Sequence, residues 1–166
     1  MAINFFSGKK EFRSLSNFWE NDVIIDGRVY QSGEHAFHGE KFFRIGSSQE
    51  MIDYAKNFLK PSYTPALAKK MGGKKGFKLN EDELRNWSLI SIEVQKEISK
   101  FKFDNYEEVR VDLLKSGTKL LIHPALRCRY PENCIWEGKA LVNDGVITVV
   151  GKNLLGKIWM ELRDTV

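Results

Sequence analysis

The residues whose types and spacing suggest chemistry are concentrated between Ser32 and Phe42. Ser32 is a residue type that caps helices, and the apolar positions that follow recur at helical spacing without an internal proline. In such a helix Glu34 lies in the first turn, and His38 and Lys41 follow four and seven positions later on the same side. One face of the predicted helix therefore carries a carboxylate, an imidazole and an ammonium group.

The predicted position of Glu34 favours an ionised carboxylate, because the partial positive charge of a helix N-terminus stabilises anions unless burial opposes it. Such a group suits a base or a stabiliser of a cation better than a proton donor. Cleavage of a ribosyl–nitrogen bond builds positive charge on the sugar, so a carboxylate below C1′ would stabilise the transition state and orient water. On the residues alone, a glutamate here is more often simply a favourable first-turn residue.

The histidines and cysteines do not have the spacing of a known metal site. His35 and His38 are three positions apart, and His123, Cys128 and Cys134 form a second loose group. We therefore predict no metal, and structural or substrate-contact roles for the histidines. Two cysteines are too few for a disulfide framework, so a bond between them is not expected.

Each of the four tryptophans offers a surface on which a base could stack, but each also fills a core well. Trp19 and Trp136 lie in predicted loops and are the better stacking candidates. Trp159 has helical spacing to other apolar residues and is predicted to lie in the core. Trp87 fits either role.

The composition is that of an ordinary globular protein. The chain has 166 residues, 42% of them hydrophobic, which is enough for one domain with a substantial core. No stretch approaches the roughly 18 apolar residues of a membrane span, and no signal-peptide pattern is present, so we expect a cytoplasmic protein without a membrane partner. The net charge of +4 weakly favours phosphate-bearing partners. The densest basic stretch fits either a phosphate contact or a solvated loop. It comprises Lys69, Lys70, Lys74, Lys75 and Lys78.

The elements that must position these residues are mostly helices, marked by capping residues and by glycine or proline at their ends. They are predicted from near Gly33 to Gly46, from Ser47 toward Leu59, from Thr64 to Gly72, from Asn80 to Phe101 or Phe103, from Asp104 or Asn105 to Gly117, and from Asn153 to Arg163. The dipeptide Asp26-Gly27 between apolar runs predicts a β-hairpin, and three further segments look extended. These segments are Ile3 to Phe6, Lys119 to Ile122 and Val146 to Val150. We predict a single helix-rich α+β domain over residues 1–166 with a small antiparallel sheet.

Several segments together resemble the NADAR family of YbiA-like proteins, in an order and spacing that extend over nearly the whole chain. The segments are Asn4 to Ser7, Leu15 to Phe18, Ile25 to Gly27, Ser32 to His35 with Lys41-Phe42, Ala68 to Gly72, Asn86-Trp87 and Gly151 to Arg163. The family includes riboflavin-intermediate N-glycosidases and enzymes that remove ADP-ribose from guanine. The resemblance therefore implies a YbiA-like fold and an N-glycosidase activity.

The resemblance also assigns roles to individual positions. The family's catalytic glutamate falls on Glu34, and its functional tryptophan falls on Trp87. The family shows an aspartate three residues before a Trp-Gly pair, whereas here Asn133 precedes Trp136 and Glu137 replaces the glycine. An asparagine can hydrogen-bond a ribose hydroxyl or a base edge, but it cannot serve as an anion. A replacement carboxylate could come from Glu132, Glu137 or Asp144.

The predicted site is a cleft formed by the Asn17 loop, the Glu34 helix, Trp87 and the loop before Asn153. Its predicted catalytic residues are Glu34, Trp87 and Asn133. Its predicted substrate-binding residues are Asn17, Phe18, His35, His38, Lys41, Trp136, Lys152 and Asn153. The predicted reaction is hydrolysis of an N-glycosidic bond without a cofactor or metal. The expected substrate is ADP-ribosylated guanine, as a nucleotide or in DNA or RNA, or a ribosyl-phosphate small molecule.

Three alternatives remain open. A non-catalytic ADP-ribose-binding module would keep the cleft, with Asn133 marking lost chemistry. A general nucleic-acid-binding module would depend on the basic surface and on salt. A riboflavin-intermediate N-glycosidase would share the active site and differ only in substrate.

Overall fold

The computed structural model describes every residue from Met1 to Val166 and contains six helices and six short strands. The helices are α1 (Gly33–Ile45), α2 (Gln49–Ala55), α3 (Pro65–Gly72), α4 (Glu81–Asn105), α5 (Glu107–Ser116) and α6 (Leu154–Arg163). The strands are β1 (Ala2–Asn4), β2 (Val23–Ile25), β3 (Arg28–Tyr30), β4 (Leu120–Ile122), β5 (Lys139–Asn143) and β6 (Val146–Val150). The predicted helix-rich α+β class is confirmed. None of the six helices combines the length and apolar character that crossing a membrane requires.

The strands form three separate pairs. Two are antiparallel hairpins, β2 with β3 and β5 with β6, whereas β1 pairs with β4 in parallel. The predicted antiparallel pairing is confirmed. The parallel pair was not predicted, because strands of three residues carry too little sequence pattern to indicate their partner. The hairpin turn Asp26-Gly27 has φ of 49° and 76°, and Asp144-Gly145 repeats this geometry with 50° and 78°. Asp144-Gly145 carries the same sequence signal as the first turn, but neither this turn nor β5 was predicted.

Two compact units account for the chain. One comprises Met1–Ser16 and Lys102–Val166, and the other comprises Asn17–Phe101. We call them the terminal unit and the central unit. Each has its own buried side chains, and the expectation of one domain over residues 1–166 stays a prediction.

The core of the central unit is largely aromatic. Phe42 of α1 is fully buried. Its ring stacks on Phe58 with centroids 5.6 Å apart and meets Tyr54 edge-on at 5.1 Å and Phe77 at 6.0 Å. Edge-on and offset contacts suit the ring quadrupoles and add to the free energy of burial. This packing fixes the rotation of α1 about its own axis and therefore the directions in which its polar side chains point.

The core of the terminal unit is organised around Trp159 of α6, which is fully buried as predicted. Its indole Nε1 donates to the backbone oxygen of Leu15 at 2.9 Å. The ammonium of Lys102 lies 5.4 Å from the Trp159 ring centroid and donates to the backbone oxygen of Ser16 at 2.9 Å. Burial lowers the pKa of Lys102 to about 7, because the charged form loses its hydration.

The helix ends follow the predicted capping chemistry at three of the predicted starts. Ser32 caps α1 and Thr64 caps α3, each through a side-chain oxygen that accepts a backbone N–H. Asn80 and Glu83 bond each other's backbone N–H at the start of α4, with distances of 2.8 and 3.1 Å. The left-handed Gly46, with φ of 48°, ends α1 where predicted.

Two predicted caps are wrong. Ser48, not Ser47, caps α2, since the Ser47 hydroxyl donates instead to Glu83 at 2.7 Å. Neither Asp104 nor Asn105 caps α5, because α4 continues through Asn105 and Tyr106 precedes α5 without a side-chain cap. Both errors are shifts of one or two residues where neighbouring polar residues offered competing caps.

Candidate active site

The start of α1 is fixed by the loop that carries Asn17. The backbone N–H of Glu34 donates to the backbone oxygen of Asn17 at 2.9 Å. A side chain at Gly33 would place its Cβ 2.6 Å from the Asn17 side-chain oxygen, so only glycine allows this approach. Ser32 Oγ accepts the N–H of His35 at 3.2 Å. The first turn of the helix, and with it the Glu34 side chain, is therefore held by the preceding loop.

The Asn17 side chain is itself held by Gln95 of α4. Asn17 Nδ2 donates to Gln95 Oε1 at 2.7 Å, and Gln95 Nε2 donates back to Asn17 Oδ1 at 3.2 Å. Gln95 Nε2 also donates to Ser99 Oγ at 3.1 Å. Asn17 is 9% exposed and Gln95 is 1% exposed. The predicted contact of Asn17 with a substrate stays a prediction, since the amide already serves to hold the loop.

Gln95 is not among the residues that the sequence predicted for the site. Its neighbours Val94 and Ile98 are fully buried. An amide on the apolar side of a helix requires a polar partner, because an unpaired buried amide is costly. That signal was present, although it did not identify Asn17 as the partner.

The Glu34 carboxylate is buried and paired with a single side chain. Glu34 Oε1 lies 2.8 Å from His38 Nε2, and both side chains are 12% exposed. The second carboxylate oxygen makes no hydrogen bond within the protein. The structure thus brings together two predicted residues one helical turn apart and leaves one oxygen of the acid unengaged.

His35, the next residue of α1, does not face solvent. Its ring is fully buried. Nδ1 lies 2.6 Å from the hydroxyl of Ser32 and Nε2 lies 2.8 Å from the backbone oxygen of Tyr63. Burial lowers the pKa of His35, which is consistent with a neutral ring that donates through Nε2 and accepts through Nδ1. These contacts give His35 a structural role at the start of α1, and its predicted contact with a substrate stays a prediction.

Lys41 and Trp87 lie next to each other on the polar side of α1. The Lys41 ammonium donates to the backbone oxygen of Gly72 at 2.7 Å and lies 5.8 Å from the Trp87 ring centroid. Burial lowers the pKa of Lys41. Trp87 is 9% exposed and meets the Phe37 ring edge-on at 5.0 Å. Trp87 is thus part of the core of the central unit, and its predicted catalytic role stays a prediction.

Seven of the predicted site residues belong to the central unit. They are Asn17, Phe18, Glu34, His35, His38, Lys41 and Trp87. The half-buried Phe18 has the ammonium of Lys69 5.7 Å from its ring centroid. This contact joins the predicted Asn17 loop to one lysine of the predicted basic stretch.

The other four predicted residues belong to the terminal unit, where two segments pair through their backbones. Lys152 N–H donates to Cys134 O at 2.9 Å, and Asn153 N–H donates to Glu137 O at 3.1 Å. Asn133 is exposed at the end of a short 3-10 turn, Lys152 is exposed, and Trp136 is half-buried. Their part in the same site as Glu34 stays a prediction.

Asn153 has a structural task within the terminal unit. Its backbone is left-handed with φ of 49°, and its side chain is buried. Nδ2 donates to the backbone oxygen of Leu121 at 2.9 Å, and Oδ1 accepts the N–H of His123 at 3.0 Å. Because both ends of the amide bind backbone, Asn153 connects β4 to the start of α6. The predicted role of Asn153 in fixing a substrate hydroxyl stays a prediction.

The two cysteines lie closer together than expected. The sulfur atoms of Cys128 and Cys134 meet around the turn Pro131–Asn133. Spacing along the chain did not show that this turn brings the two sulfur atoms together. Among the carboxylates proposed as replacements near Asn133, Glu137 lies 4.0 Å from His123 Nε2, while Glu132 and Asp144 are exposed.

Two cavities lie away from the predicted residues. One of about 350 Å³ is lined in part by Arg13, Asp112 and Lys115, and one of about 500 Å³ in part by Ser48, Phe77 and Asn80. Neither is lined by any predicted site residue, so cavity size would not lead to Glu34. No three His, Cys, Asp or Glu side chains are clustered closely enough to hold a metal ion.

The fold and the site define a class of protein: an α+β chain with a buried carboxylate in the first turn of a helix, held by a loop and one imidazole. A family model described as the NADAR domain matches residues 4–166. The chain therefore belongs to the NADAR domain family, and the predicted family is confirmed.

The comparisons with individual proteins agree with this assignment. The chain is 28% identical to N-glycosidase YbiA of Shigella flexneri serotype 5b and 26% identical to N-glycosidase YbiA of Escherichia coli strain K12, each over 162 residues. Both matches cover 98% of this chain and 86% of the relative. N-glycosidase Npun_R5314 of Nostoc punctiforme is 25% identical over 166 residues, covering 100% of this chain and 93% of that protein. The NMR structure of the Escherichia coli protein YbiA superposes with a TM-score of 0.69 at 26% identity, covering 99% of this chain and 84% of that one.

Proposed function

We propose that this protein is an N-glycosidase that hydrolyses a ribosyl–base bond, with Glu34 as its catalytic carboxylate. The observation that carries the proposal is the carboxylate itself, which is buried, bound through one oxygen to His38 and unengaged at the other. Membership of the NADAR domain family and the names of the relatives, all N-glycosidases, support the same reaction.

The chemistry requires a group with these properties. As the bond between C1′ and the base nitrogen breaks, its electron pair leaves with the base and positive charge develops on the sugar. A fixed negative charge in a buried position stabilises that cation more strongly than one in water. Water then adds to C1′ and gives one proton to the unengaged oxygen of Glu34, which becomes ionised again as that proton passes to the departing base. Free base and a ribose hydroxyl are the products.

The substrate that we propose is ADP-ribose attached to guanine, in a nucleotide, DNA or RNA. Its diphosphate would be met by the basic stretch that begins in the last turn of α3, whose lysines are exposed. Lys69 already lies over Phe18, beside the loop that holds Glu34. Trp87 or Trp136 would stack on the base, and Asn133 would bind a hydroxyl or base edge.

The test measures release of ADP-ribose from a guanine-ADP-ribosylated oligonucleotide, with an aminopyrimidine ribosyl phosphate and unmodified DNA in parallel. Wild type is expected to release ADP-ribose from the modified strand. The Glu34→Gln variant should bind that strand without releasing ADP-ribose. Glu50→Gln is the matched control, because Glu50 is also a first-turn glutamate but is exposed on α2. This control should retain wild-type turnover.

Other outcomes would replace the proposal. Tight binding without release in wild type as well as in Glu34→Gln would indicate a non-catalytic ADP-ribose-binding module. Turnover of the aminopyrimidine substrate alone would indicate the riboflavin-intermediate reaction at the same site. Binding that ignores the modification and collapses with salt would indicate a general nucleic-acid-binding module.

A further inference from the structure

His38 sits in a cage that leaves one ring nitrogen without a partner. Its ring meets Phe37 edge-on at 5.4 Å and lies 6.4 Å from the Phe58 ring. Nε2 is 2.8 Å from Glu34 Oε1. Nδ1 is buried and makes no hydrogen bond. The two nitrogens therefore have very different surroundings.

These surroundings select one form of the ring. A hydrogen on Nδ1 would be a buried donor without an acceptor, which is unfavourable. A hydrogen on Nε2 is received by the Glu34 carboxylate. The less costly form is the neutral imidazole with its hydrogen on Nε2, in which Nδ1 is an unpaired acceptor and not an unpaired N–H donor. In that form His38 donates to the acid without neutralising its charge.

Gly72 allows the ring to occupy this place. A Cβ at position 72 would lie 2.2 Å from both Cγ and Nδ1 of His38, which is far closer than atoms can approach. The backbone oxygen of Gly72 also accepts from the Lys41 ammonium at 2.7 Å. The last residue of α3 thus contacts two of the three polar side chains on the same side of α1.

We propose that His38 is a positioning residue for Glu34: as a neutral Nε2–H imidazole seated against Gly72, it fixes one carboxylate oxygen and directs the other at the reacting sugar. The proposal rests on Glu34 being the catalytic carboxylate of the proposed function. His38 needs no contact with the substrate in this arrangement, which differs from the substrate-binding role predicted from its spacing.

The first experiment observes the ring in the resting protein. Long-range ¹H–¹⁵N correlation spectra at neutral pH distinguish the two neutral tautomers and the doubly protonated form. We expect His38 to show a protonated Nε2 and an unprotonated Nδ1. A hydrogen on Nδ1, in either the other tautomer or the charged ring, would overturn the proposal.

The second experiment separates positioning from packing. His38→Leu fills the cage without a donor, whereas the His38→Gln amide places an N–H donor the same number of bonds from Cβ as Nε2. We expect His38→Leu to lower kcat about tenfold or more with little change in KM, since misplacing a reacting group is costly. His38→Gln should recover most of the loss. Equal kcat in both variants would contradict a positioning role.

The third experiment uses the glycine pair at the end of α3. Gly72→Ala should lower kcat and change the His38 ring signals, because the new methyl group displaces the ring. Gly73→Ala is the control, since its Cβ would lie 3.4 Å from the nearest atom, an ordinary contact. Unchanged ring signals in a folded Gly72→Ala protein would contradict the close contact that we assign to Gly72 and the His38 ring.

The outcomes distinguish this proposal from the proposed function. The ring form is measured without a substrate, so it is decided whether or not the protein turns one over. A wild type without turnover on any substrate of the panel would reject the N-glycosidase function and leave the spectroscopic result standing. Turnover that depends on Glu34 but is indifferent to His38→Leu would reject the positioning role alone.

Discussion

Two carboxylates of the same helix, Glu34 and Glu40, show opposite designs. Glu40 is fully buried and accepts hydrogen bonds from three side chains. Arg28 donates through Nε and a terminal nitrogen at 2.7 and 2.8 Å, Arg44 donates at 3.1 Å, and the Tyr30 hydroxyl donates as well. Glu34 is buried nearly as deeply but has one partner, His38, and one unengaged oxygen.

The comparison shows that the hydrogen-bond partners of a buried carboxylate determine whether one of its oxygens is available to a ligand. The Glu40 carboxylate, whose lone pairs are occupied by two guanidinium groups and a phenol, ties the hairpin β2–β3 to α1 and has no oxygen left for a substrate. The Glu34 carboxylate, with a single donor, keeps one oxygen free. Burial alone does not distinguish Glu34 from Glu40, whereas the number of hydrogen-bond donors to each carboxylate does.

The largest expected effect that sharpens this comparison is on activity. Glu34→Gln should lower kcat about 10³-fold, since electrostatic stabilisation of a developing charge is often worth this much. The midpoint of thermal unfolding should stay close to wild type, because the amide can still accept from His38. Steady-state turnover and a thermal scan on the same preparation provide the check. A variant with full turnover would remove Glu34 from the mechanism.

Glu40→Gln should have the opposite effect. Removing the charge deprives two half-buried guanidinium groups, Arg28 and Arg44, of their buried carboxylate partner, and breaking such a network costs about 3–5 kcal/mol of unfolding free energy. Urea denaturation measures the loss. Glu97→Gln is the matched control, because Glu97 also pairs with Arg44, at 2.7 Å, but is 45% exposed. This control should cost no more than about 1 kcal/mol.

Gly39→Ala tests whether the support of Glu40 is as tightly built as the geometry indicates. The new Cβ would lie 2.5 Å from the Tyr30 ring and 3.1 Å from Phe58. Alanine in a helix normally stabilises by up to about 1 kcal/mol relative to glycine. Here overpacking should win and destabilise the protein by about 1–3 kcal/mol. Stabilisation in urea denaturation would show that this packing yields easily.

The smallest expected effect is on the pH dependence of stability. Burial by itself raises the pKa of Glu40, but the hydrogen bonds from Arg28 and Tyr30 and the charge of Arg28 outweigh it and lower the pKa below its usual value of 4.5. The folded state therefore binds this proton less readily than the unfolded state. Its contribution to stability is complete above pH 4.5 and is lost as the pH falls through the lowered pKa. Thermal unfolding of wild type should show this acid loss, and Glu40→Gln should flatten it.

Much of this comparison was accessible from the sequence. Ser32, the helical spacing and Gly46 located α1, and the resemblance singled out Glu34. These signals are local, because a cap and its helix lie within a few residues of each other. The place of Glu34 on the same side as His38 followed from the helical repeat alone.

The partners that distinguish the two acids could not be predicted, because they come from other elements. Nothing in the sequence pairs Glu40 with Arg28 and Tyr30, or Asn17 with Gln95 across 78 positions. Side-chain partners distant in sequence are set by packing, not by local preference. For the same reason His35 and Asn153 were expected to meet a substrate, whereas the fold surrounds both with backbone groups.

The placement of Glu34 and His38 one turn apart on α1 has a consequence for how this site can diverge. Their separation is a property of the helical repeat, so it survives insertions and deletions anywhere outside those five consecutive residues. Substrate range can therefore drift through changes in surrounding loops while the acid and its imidazole remain in register. If Glu34 is the catalytic carboxylate that we propose, a lineage that exchanges one sugar–base conjugate for another would need no new geometry at that residue.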